Sequence, residues 1–318
     1  MTAGPPPTPR DGTDEADGTD GTDDAVAATR TDLIGNDGLR LAADVAGPDD
    51  GPTVVLLHGG GQTRHSWAGT WRYLADHGWR AWTVDLRGHG DSEWSGDGDY
   101  QLQAFAADTT AVAGAVTAAT GRPPVLVGAS LGGLSALVAV AEADPQDGLA
   151  RALVLVDVAH RLESTGTDRI GAFMTGNLDG FASLDEAADV IAAYNPHRPR
   201  PTNLDGLAKN LRQGPDGRWR WHWDPRFVSG KFGAADETRA TIVGPDLLER
   251  SADALRVPTL LVRGRSSDLL SEEGARDFLA RVPHAEFADV AGAGHMVVGD
   301  RNEVFNSAVL EFLDRHRG

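Results

Sequence analysis

Gly128-Ala129-Ser130-Leu131-Gly132 holds a serine with glycines two positions away on either side. The segment follows a short apolar run, Val125-Leu126-Val127, and leads into Leu131, Leu134, Leu137 and Val138 at helical spacing. A strand that passes straight into a helix through so tight a turn strains the residue at its tip, and only small neighbours avoid collision there. Ser130 is therefore placed as a nucleophile, but a neutral hydroxyl is a weak one and needs a base. His295, in Gly292-Ala293-Gly294-His295-Met296, fits that role: it follows the apolar run from Ala285 to Val290, and its small neighbours let a loop carry the imidazole back over the strand ends. The imidazole in turn needs a carboxylate to fix its tautomer. Asp268, just after the run from Thr259 to Val262, is the expected acid and gives the chain order serine, acid, histidine. Asp157, which ends the run from Leu153 to Val156, is the competing position.

His58-Gly59-Gly60-Gly61 closes another apolar run, Thr53 to Leu57. Glycines there let backbone N–H groups face a cavity, so Gly60, with Gly61 second, joins the N–H of Leu131 as the expected oxyanion hole. His58 itself is expected to pack beneath the site. Trp219, Trp221 and Trp223 alternate with Arg220 and His222, as a strand with one aromatic face would. They and Met296 form the expected apolar wall for a substrate, the other reading being that the indoles anchor an inserted subdomain.

Short apolar runs alternate with helical patterns from Leu33 onward, beginning with a hairpin around Asn36-Asp37-Gly38. Such alternation implies an α/β fold: a mostly parallel central sheet with helices on both faces. The alternation lapses from residue 161 to about 250, where aromatics concentrate. The expected organisation is a disordered acidic tail (1–30), a core (31–160 and 251–318) and a mainly helical cap inserted at 161–250. Residues 1–30 have seven acids against two arginines and few apolar groups, too few to offset the entropy of ordering.

Composition narrows the chemistry. With no cysteine, thiol nucleophiles, disulfides and iron–sulfur clusters are excluded, and the ten histidines show no paired metal-ligand spacing, so neither metal nor cofactor is expected. A formal charge of −18 argues against nucleic acid and anionic membranes as partners. No apolar run reaches membrane-spanning length and none resembles a signal-peptide core, so the expected location is the cytoplasm. The serine nucleophile, its oxyanion donors and the aromatic wall make a small, apolar ester or acyl compound the expected partner.

These motifs in this order, together with Trp67 and Asp85-Leu86-Arg87-Gly88-His89-Gly90-Asp91-Ser92, resemble the α/β-hydrolase family of the capped, single-domain type over about residues 33–160 and 255–316. The resemblance implies an architectural role for the Asp85–Ser92 turn, so that His89 and Asp91 are not catalytic. It also implies a serine hydrolase working through an acyl-enzyme, with esterase, C–C bond hydrolase, lactonase and cofactor-free perhydrolase chemistries open to the same triad. Serine rather than aspartate at the turn excludes the epoxide-hydrolase and dehalogenase type. A non-catalytic ligand-binding member of the fold is the reading from another class.

Overall fold

A computed structural model describes residues 27–144, 146, 148–196, 200, 204–229, 246–295 and 302–317. Eight strands form one sheet: β1 (Thr29–Ile34), β2 (Arg40–Ala46), β3 (Thr53–Leu57), β4 (Arg80–Val84), β5 (Val125–Ala129), β6 (Ala152–Val156), β9 (Thr259–Gly264) and β10 (Glu286–Val290). Their spatial order is β1-β2-β4-β3-β5-β6-β9-β10. The first two pair antiparallel with each other and β2 runs antiparallel to β4, while the other six strands run parallel. A second, two-stranded sheet joins β7 (Leu211–Gln213) to β8 (Trp219–Trp221).

The continuous apolar runs of β3, β5 and β6 follow from burial on both faces. Successive side chains point to opposite sides of a strand. Val54, Leu56, Val125, Val127, Val154 and Val156 accordingly share one core layer with Trp67, Trp71 and Leu74 at α1 (Ala68–Asp76) and Phe305, Val309 and Phe312 of the final helix α10 (Asn302–Asp314). Val55, Leu57, Leu126, Leu153 and Leu155 pack on the other side against α2 (Leu102–Thr120), α3 (Leu131–Glu142), α8 (Leu247–Ala254) and α9 (Glu272–Arg281). Between β6 and α8 lie α4 (Ser164–Thr175), α5 (Leu184–Tyr194), the short helices α6 (Asp205–Ala208) and α7 (Arg226–Ser229), and the small sheet. Among the described residues no helix is long and apolar enough to cross a membrane.

Two expected boundaries move. Strand β1 begins at Thr29, inside the segment assigned to the tail; it is a sheet-edge strand with Leu33 as its one buried residue, so its composition looks like tail. Helix α8 begins before residue 250 and buries Leu247, Leu248 and Ala252 in the layer that contains α3, so it belongs to the core rather than to the inserted segment.

The Asp85–Ser92 turn is held by ion pairs. Arg87 makes two hydrogen bonds to Asp108 of α2, from Nε (2.6 Å) and Nη2 (2.8 Å), and both residues are buried. Asp85 accepts from the Arg64 backbone N–H (2.6 Å), the Arg64 guanidinium (2.5 Å) and the Asp91 N–H (2.9 Å). Asp91 accepts from Arg64 and Arg30. This is the architectural role the resemblance implies.

Candidate active site

Parallel pairing places the carboxyl ends of β5, β6 and β9 side by side. Ala129 lies opposite Val156, and Val156 opposite Val262, so Ser130 and Asp157 leave adjacent strands at the same edge. Ser130 has φ 48° and ψ −116°, a conformation costly for any residue with a side chain. It is held there by its N–H donating to the Val156 carbonyl (3.2 Å) and its carbonyl accepting from Leu134 (2.9 Å). A Cβ at Gly128 would lie 2.4 Å from the Gly132 carbonyl oxygen, and one at Gly132 would lie 2.4 Å from that of Leu57. These backbone approaches explain the glycines on both sides of the serine.

The carboxylate partner of His295 is Asp157, not Asp268. His295 Nδ1 lies 2.7 Å from Asp157 Oδ2. A carboxylate only accepts, so Nδ1 carries the proton and Nε2 is left as the basic nitrogen. Asp157 is fully buried, and its φ of 53° marks a sharp departure from β6. Its Oδ1 accepts from the Gly264 N–H (2.9 Å), and its Oδ2 also accepts from the Ser267 hydroxyl (2.5 Å). The loop after β9 thus reaches the site through Ser267. The next residue, Asp268, faces α4 instead, where it pairs with Arg169 at 3.1 Å and remains a third exposed.

The glycine loop divides its donors. Gly61, expected as the second oxyanion donor, gives its N–H to His89 Nε2 (3.1 Å) and is committed to that bond. The Gly59 N–H is taken by the Gln62 side-chain oxygen (3.0 Å). Among the described residues no acceptor pairs with the N–H of Gly60 or of Leu131, the latter being in the first turn of α3, where backbone donors carry the positive end of the helix dipole. Gly59 leaves room for Ser130, whose Cβ is 3.3 Å from where a Cβ at Gly59 would stand.

His58 is wholly buried beneath this loop. Its Nδ1–H donates to the Gly59 carbonyl (2.8 Å), and its Nε2 accepts from the Leu86 N–H (3.0 Å). Burial lowers its pKa to about 4, opposed by the bond to Gly59, so it stays neutral and ties the glycine loop to the Asp85–Ser92 turn. His222, buried with Nδ1 accepting from Gly90, is likewise held well below the ordinary value by burial, with His89 and His58 acting in the same direction. Both groups bind protons in the unfolded chain before they do so in the folded one. Stability is therefore full above the ordinary value of 6.5 and is lost as pH falls from there toward about 4. From His58 alone the expected loss between pH 7 and pH 5 is about 2 kcal/mol, read from urea unfolding at the two pH values.

Trp223 and Trp221 stack with ring centroids 4.8 Å apart, and Trp221 packs in turn on Phe173. Trp223 reaches the loop: a Cβ at Gly61 would lie 3.2 Å from Trp223 Cζ3 and from Met174 Cε. Trp219 does not; it bridges to Phe181 and packs with Leu207 and Leu211 in a separate cluster drawn from the 161–250 segment alone, so it belongs neither to the wall nor to an anchor on the core. Met174 and Phe227, the latter 3.5 Å from a Cβ built at Gly60, complete the apolar surface beside the loop and were not singled out by sequence, since neither lies in a motif. Met296 lies outside the described residues. Arg220 pairs with Asp216, and Arg218 with the carbonyls of Asp179 and Gly180. Among the described residues no three His, Asp or Glu side chains are grouped to hold a metal ion.

The model of the alpha/beta hydrolase family matches residues 54–308. An esterase of Mycobacterium tuberculosis is 31% identical over 270 residues, covering 83% of each chain. A solved structure of the M. tuberculosis esterase superposes with a TM-score of 0.70 at 28% identity, covering 91% of this chain and 92% of that one. The 2-(acetamidomethylene)succinate hydrolase of Mesorhizobium japonicum is 26% identical over 275 residues, covering 86% of this chain and 92% of its own. Sharing fold and sequence with hydrolases along most of its length, the chain belongs to the alpha/beta hydrolase family of enzymes.

Proposed function

We propose that the protein is a serine hydrolase that cleaves a carboxylic ester with a short, apolar acyl group, using Ser130, His295 and Asp157. The observation that carries this reading is the His295 Nδ1 contact with buried Asp157, at the sheet edge where strained Ser130 leaves the neighbouring strand. His295 Nε2 takes the Ser130 proton as the hydroxyl oxygen attacks the ester carbonyl, and the N–H groups of Gly60 and Leu131 stabilise the oxyanion. The imidazolium, stabilised by Asp157, then protonates the departing alkoxide. Water, deprotonated by the same imidazole, hydrolyses the acyl-enzyme and restores Ser130.

The segment between β6 and α8 serves as a cap. Its Met174, Trp223 and Phe227 crowd the glycine loop, which favours short acyl chains and excludes long ones. A fluorophosphonate is expected to form one adduct, on Ser130, located by peptide mass spectrometry, and p-nitrophenyl esters from acetate to octanoate are expected to be turned over with preference for the short end. Undiminished labelling of Ser130→Ala would sink the nucleophile assignment. An adduct on Ser130 with no turnover of any ester would move the substrate to a lactone or a C–C bond cleaved by the same triad.

A further inference from the structure

We infer that Ser267 is a positioning residue of the triad, its hydroxyl fixing the Asp157 carboxylate in the orientation that serves His295. The inference rests on the triad reading above and extends it to the loop after β9.

A serine hydroxyl has one proton to give and two lone pairs. Both lone pairs of Ser267 Oγ are occupied, by the backbone N–H groups of Leu269 and Leu270, each at 3.1 Å. The hydroxyl proton is therefore directed to Asp157 Oδ2, 2.5 Å away, the same oxygen that accepts from His295 Nδ1. The other carboxylate oxygen is held by the Gly264 N–H, and Gly264 and Ser267 are themselves joined by a backbone bond from the Ser267 N–H to the Gly264 carbonyl (2.9 Å). One small turn thus grips both oxygens of a carboxylate that is fully buried. The two donors of the turn, together with His295 Nδ1–H, replace the hydration that burial removes, and they leave Asp157 no free rotation about its carboxylate bond. Without the Ser267 donor, Oδ2 would carry more negative charge and less positional restraint, and both changes act on the His295 Nδ1–H bond.

A plain structural role would confine Ser267 to stapling the loop through Leu269 and Leu270. Val and Thr differ mainly by the hydroxyl, so Ser267→Val and Ser267→Thr test what the hydroxyl does, with Ser267→Ala as the smaller deletion. Val and Ala lose the staple together with the donor, so the two roles are told apart by the His295 Nδ1–H resonance and the kcat-against-KM split, which loss of a staple alone would leave in place. Three quantities are read in each full-length variant: kcat and KM on p-nitrophenyl acetate, the rate of Ser130 phosphonylation by a fluorophosphonate, and the downfield proton resonance of His295 Nδ1–H. Loss of the hydroxyl in the Val and Ala variants is expected to lower kcat and the phosphonylation rate about tenfold, with KM little changed, and to move the resonance. Ser267→Thr is expected to retain the wild-type resonance and rates within about threefold.

Wild-type rates and an unmoved resonance in folded Ser267→Val or Ser267→Ala would overturn the proposal, as would a Ser267→Thr variant as impaired as Ser267→Val. Asp157→Asn, measured in parallel, separates the two ways of failing. If it too retains full activity, the triad reading has failed; if it is crippled while Ser267→Val is not, only the role of Ser267 has.

Discussion

Asp157→Asn is expected to lower turnover about ten-thousand-fold, whereas Asp268→Asn is expected to stay within about threefold of the wild type. The first effect follows from the number of donors around Asp157. Gly264 N–H, Ser267 O–H and His295 Nδ1–H all point at its two oxygens. An amide has one acceptor oxygen and an NH2 group, so at least one of these donors must face another donor. If the NH2 faces His295, the imidazole is driven to the tautomer with its proton on Nε2, and that nitrogen can no longer take a proton from Ser130. If it faces Gly264, a buried N–H is left unpaired, at a cost of about 1–3 kcal/mol of stability. Asp268 loses far less, because its pairing with Arg169 is partly exposed on both sides and worth at most about 1 kcal/mol. Steady-state kinetics of the two purified variants on p-nitrophenyl acetate decides the matter; a crippled Asp268→Asn beside an active Asp157→Asn would restore the other acid.

The ambiguity between these two acids shows where the sequence stops being informative. Both follow apolar strands at the same sheet edge, and both satisfy the order serine, acid, histidine. What separates them is side-chain direction: a φ of 53° turns Asp157 off β6 toward His295, while the turn after β9 presents Ser267 inward and leaves Asp268 to Arg169. No pattern of residue types encodes that choice. Gly60 and Gly61 are alike in the same way, equivalent as letters, and separated only because His89 arrives from another loop to take the Gly61 N–H. By contrast, β3, β5 and β6 were legible because strands buried on both faces must be apolar throughout, and the serine turn was legible because backbone contacts at Gly128 and Gly132 admit no side chain. Strand β1 was half hidden since an edge strand with one buried residue need not look different from a polar tail.

Replacing Ser130 by alanine is expected to cost about a million-fold in turnover, and replacing His295 by alanine about as much. The double variant is expected to be no worse than either single one, because in the proposed mechanism nucleophile and base act as one unit and the loss of either removes the acyl-enzyme route entirely. What survives should not be zero. The N–H groups of Gly60 and Leu131 belong to the backbone, and among the described residues no acceptor occupies them, so a bound ester would still meet its oxyanion donors in all three variants. A residual rate about a thousandfold above the uncatalysed hydrolysis is therefore expected, common to the single and double variants. Measured on p-nitrophenyl acetate with matched buffer blanks, additive losses in the double variant would mean that Ser130 and His295 act in separate steps. Equal losses with no residual rate would instead mean that the glycine loop does not hold the oxyanion, and would direct attention to donors other than Gly60 and Leu131.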